Sequence, residues 1–191
     1  MSDSILIFDS GVGGLSILTE VRKALPGVHI RYLMDSEMFP YGIRADGLLA
    51  ERIVSVCKAA VSSFSPSMLV LACNTASTLA LSQLREALEL PVVGVVPAIR
   101  VAGEQCRRTD NLCFGLLATP ATVSRSYTQA LIDDFASDCR IERFGCSELV
   151  DLAEQHIAGV DTRAALHGLI GNWLAQHPDM RHVVLGCPHF P

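Results

Sequence analysis

Short apolar runs alternate with longer amphipathic segments along the whole chain, and few folds accommodate that alternation. Many of the runs end in glycine, proline or small polar residues, as buried strands of a parallel sheet often do. The predicted strands of the first half are residues 4–8, 29–34, 68–72 and 92–96, and the predicted helices between them are residues 15–25, 47–64 and 76–88. Successive strand–helix units predict an α/β fold with a doubly wound parallel sheet.

The helix predicted for residues 47–64 supports a more detailed expectation. Apolar side chains recur in it at helical spacing, and Ser65-Pro66 ends it. We expect the buried face of this helix to consist of Leu48, Ile53, Val56, Ala60 and Phe64.

The alternation restarts after Pro97. The predicted helices of the second half are residues 98–107, 123–135, 146–156 and 162–176, and its predicted strands are residues 112–118, 140–144 and 182–185. The sequence therefore predicts two α/β lobes, residues 1–97 and residues 98–191, with no long linker between them.

Composition narrows the classes of function. The chain has 191 residues, of which 50% are hydrophobic, and this is enough to bury a substantial core. No apolar run approaches the roughly 18 residues that cross a bilayer, and the first residues lack a signal-peptide pattern, so we expect a cytoplasmic protein without a membrane partner. A net charge of −5 without a basic run argues against nucleic acid as a partner. Small molecules remain the expected partners.

The 7 cysteines form no C-x-x-C pair, which argues against a disulfide framework or a zinc site. Cys73 and Cys187 differ from the other five because each follows a predicted strand and precedes polar residues. Open α/β sheets bind ligands at that edge, and a helix N-terminus there is expected to lower the pKa of a thiol. The alternative is that a cysteine acts as a small buried hydrophobe, which we assign to the remaining cysteines, Cys57, Cys106, Cys113, Cys139 and Cys146.

The glycine-rich turn after the first strand admits two interpretations. Residues 11–14, Gly-Val-Gly-Gly, resemble a dinucleotide-binding turn, and Asp35 follows the next strand where a ribose-binding acid would lie. The match fails at its third glycine, where the chain has Ser16. The second interpretation is that the glycines permit a tight turn and close helix packing. Asp9 and Ser10 precede them at the end of the strand, where packing alone does not call for a carboxylate.

A series of motifs, IFDSGVGGLS, PYG, LACNTAS, LATPATVSRSY and GCPHFP, follows in this order along the chain. Together they resemble the glutamate racemase family of the aspartate/glutamate racemase superfamily, and the resemblance covers essentially the whole chain. It implies two Rossmann-like lobes with mainly parallel sheets that face each other across a cleft. It also implies that two cysteines interconvert L- and D-glutamate without a cofactor or metal and so supply D-glutamate for peptidoglycan. The oligomeric state stays open, although the family is often dimeric and a homodimer fits the resemblance.

The resemblance also implies roles for individual residues. Cys73 and Cys187 match the two acid/base thiols, with Cys73 acting on the D-enantiomer and Cys187 on the L-enantiomer. Asp9 and His189 match groups that tune the thiols, and Glu154 matches an acidic position near the second one. The positions that match the lining of the substrate site are Ser10, Pro40, Tyr41, Gly42, Asn74, Thr75, Thr119, Thr122 and Pro188.

Two features depart from the family pattern. The family has threonine between the second cysteine and the histidine, whereas this chain has Pro188, which lacks both an N–H and a hydroxyl. Family members also continue beyond HFP, so we expect the second lobe to be incomplete at its C-terminal end. A second hypothesis follows, in which the chain is a catalytically impaired protein of racemase fold that binds an acidic amino acid or a protein partner.

Overall fold

The computed structural model describes residues 4–191, and its contacts divide them into two compact units. The first unit ends at Val96, and the second comprises Pro97–Phe190. Within the described residues, none of the helices combines the length and the apolar character that a membrane span requires.

The first unit is a four-stranded sheet with helices, as predicted. Its strands are β1 (Ser4–Asp9), β2 (His29–Met34), β3 (Met68–Leu71) and β4 (Val92–Gly94), all parallel and ordered β2-β1-β3-β4. Its helices are α1 (Leu15–Ala24), α2 (Asp46–Phe64) and α3 (Asn74–Ala87), and a 3₁₀ turn, Tyr41–Ile43, precedes α2. The observed bounds differ from the predicted ones by a few residues at most.

Alternating side chains of β1 explain why helices cover both faces of this sheet. Every residue of β1 is buried. Leu6 and Phe8 belong to a core cluster that includes residues of α2 and α3, whereas Ile5 and Ile7 belong to a second cluster that includes residues of α1. Since successive residues of a strand point to opposite faces, one strand contributes to two cores.

The predicted buried face of α2 is only partly correct. Leu48 and Phe64 are exposed, with 57% and 42% of their surface accessible. The buried residues of α2 are Leu49, Ala50, Ile53, Cys57 and Ala60. The core face is therefore displaced from the predicted one, because Leu49 and Cys57, four residues to either side of Ile53 on the helix, complete the stripe.

The second unit repeats the architecture with a smaller sheet. Its strands are β5 (Cys113–Ala118), β6 (Arg140–Gly145) and β7 (His182–Leu185), all parallel and ordered β6-β5-β7. Its helices are α4 (Ile99–Arg108), α5 (Pro120–Ser124), α6 (Ser126–Phe135), α7 (Glu148–Ile157) and α8 (Arg163–Gln176). The central strand β5 is buried along its whole length.

The single helix predicted for residues 123–135 is two helices in the structure. Arg125 separates α5 from α6 in an extended conformation, with φ −68° and ψ 144°. The Thr128 hydroxyl donates a 2.6 Å hydrogen bond to the carbonyl of Thr122, which supplies that carbonyl with a side-chain partner at the break. Apolar spacing carries no information about such a bond, so the sequence did not reveal the break.

All the cysteines are free thiols, in agreement with the prediction. Among those expected to act as buried hydrophobes, Cys57, Cys106, Cys113 and Cys146 are buried and Cys139 is partly buried.

Candidate active site

Cys73 lies between β3 and α3 and is the N-cap residue of the helix. Its Sγ accepts a hydrogen bond from the backbone N–H of Ala76 at 3.5 Å, a bond for which serine, threonine, aspartate and asparagine are the preferred residues. The hydroxyl of Ser10 lies 3.6 Å from the same sulfur. Only 5% of Cys73 is exposed. The Cys73 thiol is therefore largely excluded from water but lies beside two polar groups.

Asp9 ends β1 and organises the glycine-rich turn around its own carboxylate. Oδ2 of Asp9 accepts hydrogen bonds from the N–H groups of Gly11 at 3.0 Å and Gly14 at 3.2 Å. A Cβ on Gly14 would lie 2.8 Å from Cβ of Ala72, so a side chain does not fit there. These glycines serve close packing and the fixation of Asp9, which supports the second interpretation of the turn.

Asp35, considered above as a ribose-binding acid, is occupied by other partners. Its carboxylate accepts two hydrogen bonds from Arg52 and one from the hydroxyl of Tyr41. Both carboxylate oxygens thus have protein partners in a largely buried position. The structure gives no support to the dinucleotide interpretation at this residue.

The expectation of a lowered pKa for Cys73 is wrong. Burial raises the pKa of this thiol, and the negative charge of Asp9 raises it further, to about 11. Hydrogen bonds from the Ala76 N–H, the Ser10 hydroxyl and the Thr75 N–H favour the thiolate but have a smaller effect. Cys73 is therefore a protonated thiol near neutral pH in this structure.

Asn74 and Thr75 form the first turn of α3, directly after Cys73, and both are buried. The side-chain oxygen Oδ1 of Asn74 is buried and, among residues 4–191, accepts no hydrogen bond. Buried polar atoms in native proteins are nearly always paired, so this atom is a natural acceptor for a ligand donor.

The segment with Pro40, Tyr41 and Gly42 connects β2 to α2. Tyr41 is buried, and its ring packs against Phe8 with the ring centroids 6.5 Å apart. The peptide bond between Phe39 and Pro40 is cis. Tyr41 belongs to the same core cluster as Cys73, and its 3₁₀ turn contacts α3, the helix that Cys73 caps.

Cys187 follows β7 in the second unit, and hydrogen-bond distances connect it through His189 to Glu154. Its Sγ lies 3.6 Å from Nδ1 of His189, and Nε2 of His189 lies 2.9 Å from Oε1 of Glu154 on α7. Cys187 and His189 are each only 7% exposed. If Nε2 carries the ring proton and donates a hydrogen bond to Oε1 of Glu154, Nδ1 can accept the thiol proton.

Thr119 and Thr122 lie at the carboxyl end of β5, which neighbours β7 in the sheet. Thr119 caps α5, because its hydroxyl accepts a hydrogen bond from the N–H of Thr122 at 3.4 Å, and the two hydroxyls lie 3.0 Å apart. Both residues are buried. Parallel strands end at one edge of a sheet, so these hydroxyls and Cys187 occupy the same edge of the second unit.

The residues that match the family pattern thus form two groups, one in each unit. The first unit holds Asp9, Ser10, Cys73, Asn74 and Thr75 near the carboxyl ends of β1 and β3, with the segment of Tyr41 beside them. The second unit joins Glu154, Cys187 and His189 by hydrogen-bond distances.

The pairing of Arg52 on α2 with the buried Asp35 was not predictable, because an arginine on the polar side of a helix resembles any solvated surface residue.

Within residues 4–191 we find no cluster of His, Cys, Asp and Glu with the composition of a metal site.

Comparison with known proteins identifies the family. The sequence profile of the Asp/Glu/Hydantoin racemase family matches residues 15–191. The glutamate racemase of Photorhabdus laumondii is 48% identical over 189 residues, and that of Escherichia coli is 47% identical. Both alignments include 98% of this chain but only 65% of the relative's length.

Solved structures agree with these matches. The crystal structure of Escherichia coli glutamate racemase, in complex with L-glutamate and the activator UDP-MurNAc-Ala, has a TM-score of 0.89 and 45% identity, with 100% of this chain and 71% of that chain covered. The Bacillus anthracis isoform RacE1 has a TM-score of 0.82 and 26% identity, with 99% of this chain and 70% of that one covered. The predicted resemblance is confirmed, and the chain belongs to the Asp/Glu/Hydantoin racemase family.

Proposed function

We propose that this chain interconverts L- and D-glutamate by proton transfer through Cys73 and Cys187, without a cofactor. The observation that carries the proposal is that each unit ends a strand in a buried thiol with its own polar partners. Ser10 and the Ala76 N–H lie beside Cys73, and His189 with Glu154 lies beside Cys187. The curated relatives at 47–48% identity are named glutamate racemases, which supports glutamate as the substrate.

The chemistry explains why the reaction needs two thiols. Inversion at an α-carbon removes a proton from one face and returns a proton to the other, so a single base cannot easily do both. A thiol has an ordinary pKa of roughly 8.5, which makes its thiolate a usable base near neutral pH. In each direction one cysteine begins as thiolate and the other as thiol.

The two thiols receive different help in forming a thiolate. His189 can take the proton of Cys187, and the carboxylate of Glu154 stabilises the resulting imidazolium. Cys73 has no imidazole in its described hydrogen bonds, and its pKa lies near 11. The positive α-ammonium group of a bound amino acid would favour the Cys73 thiolate, because an opposite charge nearby lowers a thiol pKa.

The remaining groups of the proposal bind the substrate. The unpaired Oδ1 of Asn74 can accept a hydrogen bond from the α-ammonium group. Hydroxyl groups of Ser10, Thr75, Thr119 and Thr122, together with the segment Pro40–Gly42, would hold the carboxylates. In the cell the product would be D-glutamate for peptidoglycan, made by a cytoplasmic enzyme that can form a homodimer.

Pro188 favours the second candidate function, a catalytically impaired protein that binds an acidic amino acid or a protein partner. Proline cannot donate the hydrogen bonds of the threonine found in the family pattern. Loss of one donor that leaves a buried partner unpaired costs about 1–3 kcal/mol, or roughly 5- to 160-fold in rate. Pro188 lies in a turn that the Phe190 N–H closes on the Cys187 carbonyl at 3.2 Å, and proline is favoured at the second position of such a turn, so its effect on folding is expected to be small.

Exchange of the α-proton with solvent deuterium tests the proposal. We expect the chain to exchange the α-proton of both D- and L-glutamate for deuterium. Loss of the ¹H NMR signal of that proton measures the exchange rate. Cys73→Ser should slow exchange of the D-enantiomer, and Cys187→Ser that of the L-enantiomer, each by about 10²- to 10⁴-fold. Cys139→Ser, at a partly buried cysteine outside both groups, is the matched control and should exchange at the original rate.

The outcome discriminates between the two functions. Exchange of neither enantiomer by a chain that still binds glutamate would exclude the racemase and support the binding protein. Exchange of D-glutamate alone would show that Cys73 works while Cys187 does not, as the loss of the threonine at position 188 would explain. The same assay with aspartate determines whether the site prefers glutamate.

A further inference from the structure

Asp35 and Arg52 form a bidentate ion pair that the proposed reaction does not use directly. Nε of Arg52 lies 3.0 Å from Oδ2 of Asp35, and Nη2 lies 2.8 Å from Oδ1. Asp35 is 4% exposed, whereas the Arg52 side chain is 34% exposed. A carboxylate so deeply buried needs such partners, because an unpaired buried charge is strongly unfavourable.

Tyr41 is the third member of this group. Its hydroxyl donates a 2.8 Å hydrogen bond to Oδ2 of Asp35, the same oxygen that Nε of Arg52 contacts. Burial and the charge of Asp35 raise the pKa of Tyr41, so the hydroxyl keeps its proton and remains a donor. Burial raises the pKa of Asp35, but hydrogen bonds from Arg52 and Tyr41 outweigh it, so this pKa lies below its ordinary value.

The group connects the segment between β2 and α2 to α2 itself, because Asp35 and Tyr41 lie in that segment and Arg52 lies on the helix. Tyr41 opens the 3₁₀ turn between β2 and α2, and Asp35 directly follows β2. Arg44 adds hydrogen bonds from its guanidinium to the carbonyls of Met38 and Phe39, each at 3.2 Å. Tyr41 also lies close enough to Cys73 that the charge of the thiolate would raise its pKa.

We propose that Arg52 is a positioning residue, which acts through Asp35 to hold Tyr41 and the segment Pro40–Gly42 in place beside Cys73. This inference rests on the proposed function, in which that segment binds the substrate. Arg52 lies on α2 and need not touch the substrate. Its planar fork matches the two carboxylate oxygens, so the pair sets an orientation as well as a charge.

The test compares Arg52→Gln and Arg52→Lys with the unaltered chain. A displaced binding segment weakens ground-state binding, so we expect Arg52→Gln to raise KM for D-glutamate about tenfold or more, with kcat changed much less. Arg52→Lys keeps the charge beside Asp35 but loses the planar fork, so its KM should lie between that of Arg52→Gln and that of the unaltered chain. Glu37→Gln is the control, because Glu37 contacts Arg52 at 2.8 Å from an exposed position and leaves Asp35 and Tyr41 untouched.

A second readout does not depend on turnover. With ¹³Cζ-labelled tyrosine, the Tyr41 resonance reports its hydrogen bond to Asp35, and titration with D-glutamate gives a Kd. In Arg52→Gln we expect a changed Tyr41 chemical shift and a weaker Kd for D-glutamate. In Glu37→Gln we expect both the chemical shift and the Kd to stay the same. A chain that binds D-glutamate without exchanging its proton would contradict the proposed racemisation alone. Arg52 variants whose KM and Kd stay within about twofold of the original, or whose kcat falls at constant KM, would overturn the positioning role.

Discussion

Among single residues, Cys73 combines two opposing influences on one sulfur atom. It caps α3, where the Ala76 N–H and the Ser10 hydroxyl favour a negative sulfur, and it is buried near Asp9, which favours the neutral thiol. The position of the thiol at the end of a strand was predictable from the switch between apolar and small polar residues. The net direction of its pKa was not, because burial and the distance to Asp9 are properties of the folded chain.

Two substitutions should shift the pKa of Cys73 in opposite directions. Asp9→Asn removes the charge that raises this pKa, so the thiolate should form at lower pH than the present value of about 11. Ser10→Ala removes a hydrogen bond that favours the thiolate, so the thiolate should form at higher pH. The rate of Cys73 alkylation by iodoacetamide, followed by peptide mass spectrometry between neutral pH and pH 11, measures both shifts.

The unaltered chain supplies the reference for this experiment. Because the thiolate is the reacting species, its alkylation rate should rise about tenfold per pH unit below the pKa. Shifts of equal sign in the two variants would contradict the assignment of Asp9 and Ser10 to opposing effects.

For whole elements, periodicity predicted the helices and strands well but located their buried faces less well. Apolar residues on α2 outnumber the positions that face the core, so Leu48 and Phe64 were included and Leu49 and Cys57 were omitted. Which apolar residues are buried depends on how the helix is rotated against β1 and β3, and tertiary packing decides that rotation. The break at Arg125 was missed for a related reason, since a single side-chain hydrogen bond accompanies it.

A pair of substitutions on α2 tests the corrected face. Ile53 is fully buried, so Ile53→Ala should lower the free energy of unfolding by about 2–5 kcal/mol through lost burial and a residual cavity. Leu48 is 57% exposed, so Leu48→Ala should change it by about 0.5 kcal/mol or less. Urea unfolding followed by circular dichroism measures both, and similar losses in the two variants would contradict the assigned face.

For the molecule as a whole, composition supports a narrow conclusion about partners. Acidic residues number 20 and Lys and Arg together 15, and no basic run concentrates positive charge along the chain. The proposed binding of glutamate by particular side chains could not be deduced from charge, and the family motifs supplied that hypothesis.

The acidic balance predicts weak interaction with polyanions. Nonspecific binding to duplex DNA depends on neutralising phosphates with basic side chains, so we expect a Kd weaker than about 10⁻⁴ M even at low salt. Fluorescence anisotropy of a labelled duplex at 50 mM salt measures this, with a basic protein of similar size as the positive control. Tighter binding that weakens as salt is added would show a basic surface that the composition conceals.

The chain contains a single tryptophan, which is buried in the second unit. Trp173 on α8 stacks on Phe144 of β6 with ring centroids 5.2 Å apart, and Phe190, next to His189, packs against the same cluster. Its indole emission is consequently an intrinsic optical reporter of the neighbourhood of the second thiol. Rearrangement of the Cys187–Phe190 segment would be visible by fluorescence without any introduced label.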